Sequence, residues 1–159
     1  MKTIFESEHI FFTEITEDLV KEYALMVNDT EHVGRLIGRP DPVTEEDERR
    51  WVQEKLETNA PIFSMIERES GDFIGNIELM DVHDGVGELG VAITTDKQDR
   101  GFGTEAIPAI IEYGITQLGL KRIILKAFPD NTRAIHVYEK CGFREYDRNL
   151  IDVFMEIKC

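Results

Sequence analysis

The strongest periodicity in this chain lies between Phe102 and Leu118. Ala106, Ile107, Ile110, Ile111, Gly114, Ile115 and Leu118 recur there at helical spacing, which predicts a helix with one face laid on a sheet. Pro108 falls beyond the first turn and deletes a backbone hydrogen bond, so a local irregularity is expected there. Gly119 supplies the stop. Shorter apolar runs surround this helix. His9 to Ile15 reads as a first strand, and Glu17 to Val27 as a helix with Thr16 at its N-cap. The stretch 28–42 contains Gly34, Gly38, Pro40 and Pro42 and reads as a loop. Thr44-Glu45-Glu46-Asp47 has the form of a capping box, opening a helix that runs to about Thr58. Pro61 to Arg68 and Phe73 to Met80 read as strands joined by the turn Glu69-Ser70-Gly71-Asp72, hence a hairpin. Another turn falls within Asp81 to Val86, and Gly87 to Ile93 is the next strand. Beyond the long helix come a strand (Arg122 to Phe128), a helix (Asn131 to Cys141) and two strands (Phe143 to Tyr146 and Ile151 to Lys158). The order predicts an α/β fold of mixed elements on one sheet. No repeat or linker divides the chain, so residues 1–159 form a single domain.

Composition narrows the class. Eighteen Lys plus Arg against thirty-two Asp plus Glu leave a net charge of −14, which argues against nucleic acid as a partner. The same charge keeps a protein soluble and would steer cationic substrates inward. It is unevenly spread: residues 1–60 carry a net of −8, and residues 121–144 a net of +4. No apolar run approaches a membrane span, and the N-terminal residues lack the apolar core of a signal peptide. The two cysteines, Cys141 and Cys159, have no Cys/His cluster around them, so neither a disulfide framework nor a metal site is indicated. A cytoplasmic protein is the economical reading.

The candidate chemistry begins at Gln98-Asp99-Arg100-Gly101-Phe102-Gly103-Thr104-Glu105-Ala106. Two glycines clear side chains from a turn, and the helix that follows offers free N–H groups and the positive end of its dipole. That is a ready site for a pyrophosphate. A P-loop would require a Lys after the last glycine, and Gly103 is followed by Thr104. Gly101 to Ala106 does fit the form Gly-x-Gly-x-x-Ala of a dinucleotide fingerprint. That fingerprint belongs directly after the first strand of a βαβ unit, whereas polar residues Thr94 to Arg100 intervene here, well past mid-chain.

The stretch resembles instead the pyrophosphate loop of the GNAT superfamily of N-acetyltransferases, Gln/Arg-x-x-Gly-x-Gly/Ala. Asn131-Thr132-Arg133-Ala134-Ile135-His136-Val137-Tyr138-Glu139-Lys140-Cys141-Gly142-Phe143 is similar to the family's second cofactor motif, Asn-x-x-Ala-x-x-x-Tyr-x-x-x-Gly-Phe, and Glu88 to Ile93 resembles its central splayed strand. The likeness is close over about residues 60–143. It is nearest to the branch acting on ribosomal-protein N-termini and polyamines. It implies a mostly antiparallel, splayed sheet with about four helices, acetyl-CoA as co-substrate, no metal, and a homodimer as an option. The chain is shorter between Phe143 and its last strand than that branch usually is, so a trimmed substrate-side hairpin is expected.

The resemblance assigns roles residue by residue. Val91 and Ile93 would offer backbone bonds to the pantetheine arm. Arg100, Gly101, Phe102, Gly103 and Thr104 would hold the pyrophosphate, with Gln98 beside them. Asn131 would bond the pantetheine or thioester end, and Arg133 would reach a phosphate. Tyr138 is the candidate acid. A phenol titrates near 10 and a thiol near 8.5, so a neutral tyrosine can protonate a departing thiolate. It follows Asn131 by seven residues, about two helical turns, which sets both on one face. The attacking amine also needs a base. Glu88, on the polar-facing phase of its strand with Gly90 and Ala92, is the candidate, and Glu78 on the preceding strand competes. His136 reads as a surface residue, Cys141 as a helix-end thiol and Trp51 as core, interface or cleft wall. Asp29, Glu31, Glu45, Glu46 and Asp47 lie where relatives cover the acceptor. The implied reaction is direct acetyl transfer to a small cationic amine, such as a polyamine, or to a protein N-terminus. The alternative is a coenzyme A-binding sensor module without turnover.

Overall fold

The computed structural model describes residues 1–159. Its strands are β1 (Thr3–Glu6), β2 (Ile10–Glu14), β3 (Ile62–Glu67), β4 (Phe73–His83), β5 (Val86–Ile93), β6 (Arg122–Ala127), β7 (Arg144–Arg148) and β8 (Val153–Lys158). Its helices are α1 (Val20–Asn28), α2 (Glu45–Glu57), α3 (Phe102–Leu118) and α4 (Thr132–Lys140). The strands form one sheet in the order β1-β2-β3-β4-β5-β6-β8-β7. Every pairing is antiparallel except β5 with β6. No helix is long and apolar enough to cross a membrane.

Strand alternation sends the two faces of the sheet to different helices. Ile77, Leu79, Leu89 and Ile123 bury against Phe102, Ala106, Ile107 and Ile110 of α3, and Ile135, Val137 and Tyr138 of α4 pack on the same cluster. On the other face Ile62 and Ile66 meet Val20 and Tyr23 of α1 and Val52 of α2. Glu78 and Glu88, out of phase with Ile77 and Leu89, therefore share the α1–α2 face.

Most of the expected elements are present, with five corrections. Thr3–Glu6 is an added edge strand, held by Phe5, whose ring stacks on Phe12 at 4.3 Å and meets Phe63 edge-on at 5.1 Å. The stretch expected as a loop is largely helical: a π turn over Thr30–Gly34 continues as a 3₁₀ turn over Arg35–Ile37. The first helix opens as 3₁₀ turn Glu17–Leu19, and Thr16 does cap it. Strand β4 runs three residues past Met80, so the turn shrinks to Asp84 and Gly85, both at positive φ. On α3, Ile115 is exposed rather than facing the sheet.

The capping box at Thr44 is complete. Its side chain accepts from Asp47 N–H at 3.0 Å, and the Asp47 carboxylate accepts from Thr44 N–H at 2.9 Å. Pro108 does not break α3, which is continuous over Phe102–Leu118. The proline deletes the bond to the Thr104 carbonyl, and that oxygen instead lies 3.9 Å from the Cys141 thiol of α4.

Candidate functional site

The site is built on an interruption in the sheet. Strands β5 and β6 pair only at Val86–Arg122, Gly87–Ile123 and Glu88–Ile124, and diverge beyond. Thr94 N–H bonds Ile74 O on the β4 side. Alternation then turns the backbone groups of Ala92 toward β4 and those of Val91 and Ile93 toward the gap. Gln98 closes part of it, donating from Nε2 to Ile93 O at 2.9 Å. The N–H and C=O of Val91 and the N–H of Ile93 stand open, as a strand lacking its neighbour would leave them.

The glycine loop meets this gap from one side. Gly101 has φ +85°, a left-handed backbone that a side chain would strain, and Asp99 before it also has φ +60°. The twist aims the start of α3 at the cleft with no side-chain cap on its N-terminus. Glu105 N–H is bonded to Gly101 O, which leaves the N–H groups of Phe102, Gly103 and Thr104 for an anion. A Cβ on Gly103 would make only ordinary contacts, 3.5 Å from Ile93 and Val137. Nothing in the protein demands glycine there, so the bare backbone serves something that enters the cleft. The loop is anchored by Lys97, a buried ammonium 2.9 Å from both Glu67 and Asp72. Its hydrogen bonds pull both carboxyls below their ordinary range.

Helix α4 forms the opposite wall. Asn131 stands at its N-cap without capping it, so the amide side chain is free at the cleft. Arg133 reaches the same wall with its guanidinium on Asp99 at 3.0 Å. Tyr138, two turns along, lines both this cleft and a second one on the α1–α2 face. Burial pushes its phenol up to about 12, with the Cys141 thiol a lesser cause, so the hydroxyl is neutral at any working pH.

Of the cofactor residues expected from the sequence, Val91, Ile93, Gln98, Gly101, Phe102, Gly103, Thr104, Asn131 and Arg133 line one cleft. Arg100 does not. Its half-exposed guanidinium lies 5.5 Å over the Phe102 ring and 3.9 Å from Glu67. Sequence reasoning missed the wall made by His32, Val33 and Leu36 on the helical turns. Gly34 reads as a turn residue in the sequence, but the fold uses it for close approach. It has helical φ −54°, and a Cβ would fall 2.4 Å from Val27 O and 2.6 Å from Arg39 O.

The second cleft encloses about 610 Å³ and shares Val91, Ala92, Ala127 and Tyr138 with the first. Both candidate bases, Glu78 and Glu88, open onto it. Glu78 is paired in register with Gly90, where a Cβ would press on its Cγ at 3.2 Å, so the missing side chain makes room for this carboxylate. Burial raises the Glu78 carboxyl, partly offset by Lys55 and Arg39, with Glu88 adding a further rise. Trp51 lines the cleft and meets Tyr23 edge-on at 5.8 Å. Arg39 pairs with the buried Glu48. Asp29, Glu31, Glu45, Glu46 and Asp47 do not line it; Glu48, Glu78, Glu88 and Asp152 are its acids. His136 is exposed, as expected.

A family model described as an acetyltransferase (GNAT) domain matches residues 9–144, and the chain belongs to that family. It is 34% identical over 111 residues to the uncharacterised N-acetyltransferase p20 of Bacillus licheniformis, covering 63% of this chain and 62% of that protein. It is 30% identical over 101 residues to the spermidine N(1)-acetyltransferase of Vibrio cholerae, covering 62% and 58%. The matches thus span about three fifths of these relatives' length. Among solved structures, a GNAT-family acetyltransferase from Bacillus anthracis superposes with a TM-score of 0.85 at 22% identity, covering 99% of this chain and 98% of that one. A spermidine N-acetyltransferase of Vibrio cholerae, in complex with CoA and spermine, superposes with a TM-score of 0.79 at 20% identity, covering 96% of each chain.

Proposed function

We propose that this protein is an N-acetyltransferase moving an acetyl group from acetyl-CoA to an amine by direct attack in a ternary complex. The observation that carries this reading is the meeting of two clefts at Tyr138 and Val91. One ends in an uncapped helix N-terminus suited to phosphate, and the other holds two carboxylates suited to an amine.

The residues present fit the coenzyme. Phe102, Gly103 and Thr104 would receive the pyrophosphate, and Val91 and Ile93 the amide-bearing arm. Asn131 would bond that arm and Arg133 a phosphate, after parting from Asp99. Acetyl-CoA supplies an activated thioester. An alkyl ammonium titrates near 10.4 and an α-ammonium near 8, so most of either acceptor is protonated at pH 7 and a base is needed. Glu78 and Glu88 are the candidates, and desolvation favours Glu78 by holding its carboxyl nearer the working pH. Tyr138 donates a hydrogen bond to the sulfur as the carbon–sulfur bond breaks. Full transfer from a phenol at about 12 to a thiolate near 8.5 is uphill. The phenol therefore acts best as a relay for the proton that the attacking nitrogen gives up. A polyamine and a protein N-terminus are the two acceptor classes this reading admits.

Thiol release from acetyl-CoA, measured with spermidine, aminoglycosides and short peptides, tests the reading. Tyr138→Phe is expected to lower kcat by about 10²–10³ while coenzyme affinity stays within about twofold. Release that is equally fast without any acceptor, or untouched by the substitution, would defeat it.

A further inference from the structure

The acceptor cleft contains a hydrogen-bond donor whose direction is fixed from deep in the core. Asn76 lies on β4 between Ser64 of β3 and Ala92 of β5, on the face that carries Glu78. Thr16 N–H reaches Tyr23 Oη at 3.2 Å, Tyr23 Oη lies 2.6 Å from Ser64 Oγ, and Ser64 Oγ reaches Asn76 Oδ1 at 2.9 Å. Tyr23 and Ser64 are wholly buried.

A backbone N–H can only donate, so Tyr23 Oη accepts there. Its own proton must then go to Ser64, whose hydroxyl proton goes in turn to Asn76 Oδ1. Turning the amide over would make Ser64 donate back to Tyr23 and strand the tyrosine proton in the core. The amide nitrogen is thereby directed away from the relay. It has no partner in the protein, is not sealed from solvent, and belongs to a residue lining the cleft.

A fixed N–H donor calls for an oxygen acceptor. A protonated polyamine offers only N–H donors and would face Asn76 donor to donor. The acids of the cleft would attract its charge but leave the Asn76 donor unmatched. Asn76 and Glu78 are two residues apart on one strand face, about 6.7 Å. That span suits an amine at the carboxylate and a carbonyl oxygen at the amide, both belonging to one residue.

Resting on the acetyltransferase reading above, we propose that Asn76 is a specificity-determining residue that selects acceptors carrying an α-amino carbonyl unit. Its N–H takes the carbonyl oxygen while the amine lies at Glu78. A free amino acid and a peptide N-terminus share this chemistry.

The test compares alaninamide, alanine, an Ala-initiated peptide and spermidine as acceptors for the wild-type protein, Asn76→Leu, Asn76→Asp and Ser64→Ala. The wild type is expected to prefer the α-amino carbonyl compounds. Asn76→Leu should raise their KM roughly tenfold, the loss of one hydrogen bond, with little change in kcat or in spermidine turnover. Asn76→Asp, of the same shape, should shift preference toward spermidine. Ser64→Ala keeps the amide but frees its direction, and should give a smaller KM rise. Alanine against alaninamide and the peptide separates the two sources. A wild-type preference for spermidine, or an equal effect of Asn76→Leu on all acceptors, overturns the proposal. Absence of turnover with every acceptor would defeat the acetyltransferase reading instead. The assignment is then decided by the ¹⁵N spectrum, in which the Asn76 side-chain amide should shift with alaninamide and not with putrescine. No shift with either overturns it.

Discussion

At the residue scale the proposed chemistry rests on two carboxylates and one phenol, and burial raises both the Glu78 carboxyl and the Tyr138 phenol. Glu78 is raised by desolvation, so as a base it gains its competent, ionised form only as pH climbs through a value above the ordinary glutamate range of about 4.3. The acid limb of kcat/KM is therefore expected above that range, and Glu78→Gln should abolish it with a rate loss of about 10²-fold. A limb that survives in Glu78→Gln and disappears in Glu88→Gln would transfer the role to Glu88. Tyr138 was singled out by its place in a motif shared with the family, and the fold sets it with Asn131 on the α4 wall of one cleft. Glu88 drew weight from the family's splayed strand and from strand phase, yet Glu78 shares that phase and both are half-buried, so phase alone does not separate them. Glu78 stands out only once Gly90 is seen to vacate the space across from it. Asn76 was invisible for the same reason, since its use depends on Ser64 and Tyr23, distant in sequence and joined only by the fold.

Helix α3 was legible to the residue at the scale of elements, because it combines strong periodicity with a glycine at each end. The stretch 28–42 was not. Glycine is used there for close approach, and a sequence cannot distinguish that from a turn. At Gly34 the backbone passes the Val27 and Arg39 carbonyls so tightly that Gly34→Ala must push the helical turns outward. Overpacking of this kind costs about 1–3 kcal/mol. The expected outcome is a lower urea midpoint together with weaker coenzyme binding, since His32, Val33 and Leu36 wall the cleft from the same turns. Unchanged stability would mean that the chain relaxes around the methyl group and that the wall is more pliable than its contacts imply. Strand β1 escaped notice because four residues with one inward aromatic, Phe5, give no alternation to detect.

On the scale of the whole molecule, the sheet is two halves joined by three register pairs of β5 and β6, and this weak seam is where ligand chemistry and stability meet. The first half carries α1, α2 and the carboxylates of Glu78 and Glu88. The second carries the α4 wall with Asn131 and Tyr138. A coenzyme arm bonded to Val91 and Ile93 would restore the missing strand contacts between them. Binding to the folded state alone adds about 2.7 kcal/mol at a hundred times Kd, so saturating coenzyme A should raise the melting temperature. The decisive reading is local. Without ligand, the Val91 and Ile93 amides face an open gap and should exchange with deuterium quickly, whereas Ala92, bonded to β4, should exchange slowly. With coenzyme A, Val91 and Ile93 should become protected along with the amides of Phe102, Gly103 and Thr104. Protection confined to the start of α3 would show a phosphate site without a pantetheine path, and the two clefts would then no longer meet in a working centre. Protection at both places ties the anion site to the second cleft through the stretch of β5 that parts from β6.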